Sequence, residues 1–218
     1  MLRSHIDHLV ITAPSLDTGV EYVRDALGVS PQAGGQHIRM GTHNCLLKLG
    51  DALFLEVISI DPAAPPPARP RWFQLDEEES VKAPRLATWV VRTTDISAAI
   101  VASPVVSGYA MPMTRDDLSW TISIPRNGSL PLQGVAPTMI QWQGPHPASR
   151  LQESGCSLVR LEGFHARADK VTAMLEAIGF QGTFTVSPLP SGASAKLVAH
   201  IQTPAGTRQI PPLSATAL

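Results

Sequence analysis

The sequence predicts an α+β fold in which two strand–helix–three-strand (βαβββ) modules with curved mixed sheets enclose a cleft, followed by a C-terminal extension that contains a strand and a helix. Three observations predict it. A strand-like run at the start leads directly into an amphipathic helix and then into three more strand-like runs. The same order restarts further along, at glycines that match the first helix stop. Hydrophobic residues make up 44% of the 218 residues and charged residues 16%, which is enough apolar material for one large domain or two smaller modules with a shared core.

Residues 6–12, "IDHLVIT", read as a strand with Ile6, His8, Val10 and Thr12 on one face and Leu9 and Ile11 on the other. "APSLDTGVEYVRDALG" reads as a helix: Ser15 is placed to cap it, Leu16, Val20, Val23 and Leu27 recur at helical spacing, and Gly28 suits the stop. Short strands are expected near Gln36–Met40 and Asn44–Leu49, with a turn at Gly50–Asp51 and a strong strand at Ala52–Ile60. The proline run "DPAAPPPARP" then favours an extended linker, and "RWFQLDEEES" after it suggests an amphipathic turn carrying Trp72 and Phe73.

"RLATWVVRTTDISAAIVASPVVSG" restarts the pattern. Placing Gly108 on Gly28 sets Ile96 on Leu16 and Thr88 on His8. Residues 118–124 and 137–142 read as later strands, and "TMIQW" matches "LFLEV", which sets Gln141 against Glu56. A third start, "CSLVRLEGFHARADKVTAMLEAIGF", carries a helical stripe of Ala168, Val171, Leu175 and Ile178, and "KLVAHIQTP" reads as a closing strand. The tail "PPLSATAL" is expected to fray. The expected division is a first module over 1–61, a proline-rich linker over 62–84, a second module over 85–143 and a third, partial βα unit over 156–210.

A formal net charge of −1 and the lack of a Lys/Arg-rich tract argue against a nucleic-acid partner. No run reaches the roughly 20 apolar residues of a membrane helix, and the first residues lack the apolar core of a signal peptide. Cys45 and Cys156 lie far apart in apolar stretches, as buried thiols do. A cytoplasmic location is the expectation. Neither a G-x-S-x-G elbow, nor a P-loop, nor a G-x-G-x-x-G fingerprint, nor paired C-x-x-C motifs occur.

Glu56, set among Phe54, Leu55, Val57 and Ile58, is costly to bury without a partner. That partner is either a divalent metal or a histidine, and His8 is the nearest candidate by strand parity. A nitrogen–oxygen ligand set suits Zn, Ni, Fe or Mn rather than Ca. In "GGQHIRMGTHN", His37 is a candidate acid or base, with Thr42 and Asn44 to orient it or to meet a substrate carbonyl; the plainer reading is that Gly34, Gly35 and Gly41 serve turns and a bulge and Thr42 and Asn44 tie the backbone. Arg115 suits a substrate carboxylate, or pairs with Asp116 or Asp117 at the surface. Trp72, Trp89, Trp120 and Trp142 suit a core, with Trp120 also taken as a substrate-contacting wall; Met111 and Met113 flank a loop and suit an apolar pocket. His43 reads as a strand residue, and His146, His165 and His200 have no assignable partner.

"IDHLVITAPSLDTGVEYVRDALGV" resembles the start of a vicinal oxygen chelate module, the fold of glyoxalase I, extradiol dioxygenases and bleomycin-resistance proteins. "GGQHIRMGTHNCLLKLGDALFLEVISIDP" resembles the glyoxalase-like domain branch of that superfamily, with its G-G-x-H, G-T-x-N and L-E-hydrophobic elements; the likeness runs over residues 5–143. The resemblance implies metal ligands on the first and last strands of each module. Carried over, these are His8 and Glu56 in the first module and Gln141 in the second, where Thr88 stands at the fourth position. It also implies a small-molecule enzyme of lyase, isomerase or dioxygenase type. Such an enzyme would use a divalent metal to chelate vicinal oxygens of a carbonyl or catechol-like substrate, with His37 and Glu56 as catalytic groups. Two alternatives stand beside it: a metal-free, ligand-sequestering protein of the same fold, and a structural or partner-binding module. Modules of this kind pair within one chain or between two, so a homodimer stays open.

Overall fold

The computed structural model describes residues 1–190 and 192–211. Strand β1 (Ser4–Thr12) leads into helix α1 (Leu16–Leu27). Ser15 Oγ accepts the Thr18 N–H at 3.2 Å at the start of that helix. Gly28 closes it in the left-handed region, φ 75°, with its N–H returned to the Arg24 carbonyl. Then come β2 (Gln32–His37), a 3₁₀ turn (Ile38–Met40), β3 (Thr42–Gly50) and β4 (Leu53–Ile60). A second 3₁₀ turn (Trp72–Gln74) and the short helix α2 (Glu78–Val81) lie in the connection to β5 (Arg85–Thr93). Helix α3 (Ile96–Ala102), β6 (Tyr109–Arg115), β7 (Leu118–Ile124) and β8 (Thr138–Gln143) complete the second unit.

These eight strands form one sheet in the order β2-β3-β4-β1-β5-β8-β7-β6. Within each half the first strand lies parallel to the last, β1 with β4 and β5 with β8. The halves meet where β1 and β5 run antiparallel. Read outward from that seam, the order is 1-4-3-2 on one side and 5-8-7-6 on the other, so the halves are related by a pseudo-twofold axis. This is the paired βαβββ arrangement expected from the repeats, joined here within a single chain.

The last unit, β9 (Ser157–His165), α4 (Ala168–Ala177), β10 (Phe184–Pro188), β11 (Lys196–Thr203) and β12 (Gly206–Ile210), builds its own sheet in the order β10-β9-β11-β12. It buries Leu161, Val171, Met174, Ile178, Leu197, Ala199 and Ile201 in one core with Leu9, Ile11, Val57, Trp89 and Val91 of the large sheet. Trp89 holds the junction. Its ring stacks on Phe184 at 4.4 Å and meets Phe180 edge-on at 5.4 Å, while its Nε1–H donates to the Val135 carbonyl at 2.9 Å. The other face of the large sheet curves around a second cluster that includes Val10, Ile58, Trp72, Phe73, Trp120 and Ile140, and this face forms the cleft.

Several details depart from the sequence reading. Strands β6, β10 and β12 were not anticipated, and all three lie at sheet edges; β6 even carries Pro112, which an edge tolerates because one side of the strand needs no N–H donor. On α4 Met174 is buried along with Ala168, Val171 and Ile178, while Leu175, expected in the stripe, is only partly covered. Ile6 does not share a face with His8: it lies in the core behind the sheet. The proline run holds neither helix nor strand, and Trp72, Phe73 and Leu75 after it are buried in the cleft cluster. The fraying expected of the tail concerns residues that, beyond Pro211, lie outside the described residues. Cys45 and Cys156 are free thiols. Among the described residues no helix is long and apolar enough to cross a membrane.

Candidate functional site

The cleft site starts from a β-bulge. Against β5, Ile6 pairs with Val91 and His8 with Val90, so Asp7 is an extra residue in β1. A bulge of this kind breaks the strict alternation of faces. Ile6 points to the rear core, whereas Asp7 and His8 both serve the cleft. The Ile6 carbonyl at the irregularity accepts from Arg92 Nη1 at 2.8 Å, and the same nitrogen donates to the Ala52 carbonyl at 2.6 Å.

Asp7 has no exposure to solvent. Its Oδ1 lies 2.7 Å from His8 Nδ1. Its Oδ2 accepts from Trp142 Nε1 and from His146 Nε2, each at 3.0 Å. Burial alone would raise this carboxyl; the hydrogen bonds from His146 and His8, with the charge of those rings, outweigh it and hold the group well below the ordinary carboxylate range. The ionised Asp7 sets the His8 tautomer with hydrogen on Nδ1. The His8 ring stacks flat on Phe54, 4.5 Å between centroids and 11° between planes.

His8 Nε2 is thereby aimed at Glu56 Oε2, 3.6 Å away. That is too long for a hydrogen bond. The other Glu56 oxygen, Oε1, is occupied: Asn44 Nδ2 donates to it at 2.6 Å. Asn44 Oδ1 in turn accepts from the Gly35 N–H at 2.8 Å and from Arg115 Nη1 at 3.1 Å. A Cβ on Gly34 would stand 2.1 Å from Asn44 Oδ1, so glycine is what lets this amide lie against β2. The chain of contacts therefore runs Asp7–His8, then a gap, then Glu56–Asn44–Arg115.

Arg115 Nη1 also reaches His37 Nε2 at 3.3 Å, and His37 Nδ1 faces Thr42 Oγ1 at 3.2 Å. Since arginine only donates, His37 carries its hydrogen on Nδ1 and gives it to Thr42. Burial, with the neighbouring Arg115 guanidinium and the more distant His8 and His43, pushes the His37 pKa down to about 3. The ring is neutral near pH 7, is wedged edge-on against Trp72 at 5.0 Å and Trp120 at 6.1 Å, and has both nitrogens occupied.

These groups line one narrow cleft: the enclosed volume is about 40 Å³, and the open space at its mouth brings the total to about 440 Å³. His8, His37, Asn44, Glu56 and Arg115 are its polar lining, and Phe54, Trp72, Phe73, Trp120 and Trp142 its aromatic walls. The structure thus brings together His8, His37, Asn44, Glu56, Arg115 and Trp120 of the sequence-derived set. Thr42 stands behind His37 and does not line the cavity. Gln141 is not brought in. Ile140 and Trp142, on either side of it in β8, face the cavity, and strand alternation turns Gln141 the other way, where its Oε1 accepts the Ile96 N–H at the start of α3. Thr88 donates to the Gly134 carbonyl at 3.1 Å. Arg115 forms no ion pair with Asp116 or Asp117; Asp117 pairs with Arg150 instead. Met113 is buried in the cleft cluster, while Met111 and Met113 border a separate groove beside Arg69.

Sequence reasoning missed Asp7, Trp142 and His146 as site residues. Asp7 was visible in "IDH", but unbroken alternation placed it on the far face from His8. His165 and His200 find partners outside the site: His165 Nδ1 accepts the Arg167 N–H, and His200 Nε2 lies 2.6 Å from Glu162 Oε2.

The residues present do not fit the metal site that the superfamily resemblance implies. His8 and Glu56 offer two ligands where catalytic zinc takes about three from the protein. Thr88 and Gln141, at the matching places of the second half, are committed to backbone groups. Among the described residues no group of three or more His, Cys, Asp and Glu side chains gathers to hold an ion.

A family model described as glyoxalase-like domain matches residues 6–179. A comparison with curated protein sequences finds no match. Among solved structures, a hypothetical protein from Staphylococcus aureus aligns with a TM-score of 0.59 at 14% identity, over 90% of this chain and 88% of that one. This likeness supports the fold. Methylmalonyl-CoA epimerase from Mycobacterium tuberculosis aligns at 16% identity and TM-score 0.42, over 66% of this chain and 91% of that one. A mutant of 4-hydroxymandelate synthase from Streptomyces coelicolor aligns at 15% identity and TM-score 0.48, over 96% of this chain and 62% of that one.

Proposed function

The chain belongs to the glyoxalase-like domain family of the vicinal oxygen chelate superfamily, and from that premise we propose that it is a small-molecule enzyme that moves a proton on a carbonyl compound held in the aromatic cleft, with Glu56 as the base and His8 as its acid partner. One observation carries this reading: the 3.6 Å gap between His8 Nε2 and Glu56 Oε2 is the single open joint in an otherwise hydrogen-bonded buried chain. A reacting group on the cleft side of this pair, about 3 Å from each, would meet both atoms at once.

Glu56 would take a proton from the carbon beside the carbonyl, leaving an enolate. Asn44 holds the other carboxylate oxygen and keeps Oε2 directed at the gap. His8 in its protonated form gives the Nε2 proton to the enolate oxygen or back to carbon, and ionised Asp7 at Nδ1 stabilises the imidazolium and fixes its plane. The aromatic walls exclude water, which strengthens these charge interactions. His37, with both nitrogens engaged, positions Arg115 and takes no proton. The family's metal has no complete donor set here, so the proposed chemistry uses the chain's own groups.

The test is hydrogen exchange. Small carbonyl compounds are incubated with the full chain in D₂O and deuterium incorporation beside the carbonyl is followed by NMR. The expected result is enzyme-dependent exchange that Glu56→Gln and His8→Gln each reduce by roughly 10²–10⁴-fold, the usual range for an acid or base group. Ligands that bind without any exchange, with affinity indifferent to Glu56→Gln, would instead support a sequestering protein of the same fold.

A further inference from the structure

Arg115 has more donors than it uses. Both of its hydrogen bonds, to His37 Nε2 and to Asn44 Oδ1, leave from Nη1. Among the described residues no carboxylate pairs with it. It stands between the inner cavity and an outer groove bordered by Gly35, Gln36, Arg39 and Thr114. A Cβ at Gly35 would come within 2.9 Å of Arg115 Cδ, so the glycine leaves the guanidinium its place across β2. Close by, Trp72 lines the same cavity, is 4% exposed, and its Nε1–H finds no acceptor. Buried donors without acceptors are uncommon and call for a partner. Arg39 and Arg69, at the rim beyond, likewise have no carboxylate partner among the described residues, and Arg69 keeps a buried Nε–H without an acceptor. By contrast both acids of the inner site, Asp7 and Glu56, already hold hydrogen-bonding partners.

We propose that the ligand of this cavity is a small carboxylic acid with a flat apolar body. Its carboxylate is taken side-on by the free Nε and Nη2 of Arg115, with the Trp72 indole N–H as a further donor, and its body lies in the open mouth of the cleft against the wall that Trp120, Trp142 and Phe54 form. A guanidinium fork matches a carboxylate in two parallel hydrogen bonds, which an ammonium or a neutral amide donor does not reproduce. His37 and Asn44 hold Nη1 and so set the direction of the fork. This deepens the preceding reading, and rests on it, by stating which side of a carbonyl compound is bound and which is left for Glu56 and His8.

Matched probes test it: phenylacetate against phenylacetamide, and benzoate against benzamide, titrated into the full chain at neutral pH by calorimetry, with the indole N–H signals followed by NMR. The acids are expected to bind roughly tenfold or more tighter than the amides, the value of one charge-assisted hydrogen bond. Arg115→Gln should remove the preference by weakening the acids and leaving the amides unchanged, and Arg115→Lys should restore only part of it. Equal binding of acid and amide, or a preference that survives Arg115→Gln, overturns the proposal. If either outcome occurs while Glu56-dependent deuterium exchange persists, only the carboxylate assignment falls. If no probe of either class shifts the indole signals, the cavity reading falls with it. Should the Arg115 variants not fold, the acid-to-amide ratio of the unmodified chain decides.

Discussion

Three donors converge on Asp7, whose side chain is fully buried. Its carboxyl titrates below the ordinary range, so the folded state binds fewer protons there than the unfolded chain. The stability it contributes is present above about pH 4 and is lost as the pH falls below that. His37 acts in a higher window. Its folded pKa of about 3 lies below the 6.5 of a free imidazole, so acidification protonates the unfolded chain first, and stability is lost from about pH 6.5 downward. A melting curve against pH should therefore fall in two stages. His37→Asn should flatten the upper one. Asp7→Asn should flatten the lower one and cost about 1–3 kcal/mol at neutral pH, since the amide cannot accept from all three donors. A single stage unchanged by either variant would contradict this account. At this scale the sequence showed Glu56 through the cost of burying a charge among apolar neighbours, and His8 through strand parity. Asp7 was hidden because a bulge cannot be read from alternation, and His146 because a loop's landing point is a tertiary fact.

The glycine pair of β2 shows how an element, rather than a side chain, shapes chemistry. The expected bulge is there: Gly34 and Gly35 stand together opposite Asn44, between the pairs Ala33–Cys45 and Gln36–His43; neither has a positive φ, and they are small so that Asn44 and Arg115 can lie close to the strand. Gly34→Ala should displace the Asn44 amide, release Glu56 Oε1, and lower the deuterium-exchange rate well beyond any effect on folding, at a stability cost of about 1–3 kcal/mol for the strain introduced. Thermal melts paired with exchange rates separate the two effects. Sequence reasoning found the interior strands, with long apolar or β-branched runs, but at the edges it placed β2 near Gln36–Met40, where the strand is Gln32–His37 and Ile38–Met40 is a 3₁₀ turn, and it missed β6, β10 and β12, because edge strands bury only one flank and tolerate proline, serine and glycine. The same physics hid the C-terminal sheet, of which only β9 and β11 carry an interior pattern.

The repeat of strand, helix and three strands was legible from composition and spacing, and it fixed the large sheet's pseudo-twofold plan. The unequal use of the two halves was not. Glu56 and Gln141 match in sequence pattern, but one faces the cleft and the other caps α3. The second half therefore supplies walls, Trp120, Ile140 and Trp142, and the Arg115 guanidinium, while the first supplies His8 and Glu56, the proposed acid and base. Behind the sheet, the C-terminal unit covers apolar surface that the paired halves alone would leave open, and Trp89 is its anchor. Trp89→Ala should cost about 3–5 kcal/mol, as deletion of a large buried aromatic does. Equilibrium denaturation measures it, and a cost below about 1 kcal/mol would show that the C-terminal unit does not rely on this junction.

The extra residue in β1 has a further consequence. If Asp7 were deleted, Ile6 would adjoin His8, and every other residue of the strand would keep its present face with the alternation now regular. The sheet would be the simpler for it. What would vanish is the anchor for three rings at once, His8, Trp142 and His146. The site is thus one letter inserted into a word whose strand pairing could be spelled without it, at the loss of the stability that its three hydrogen bonds add.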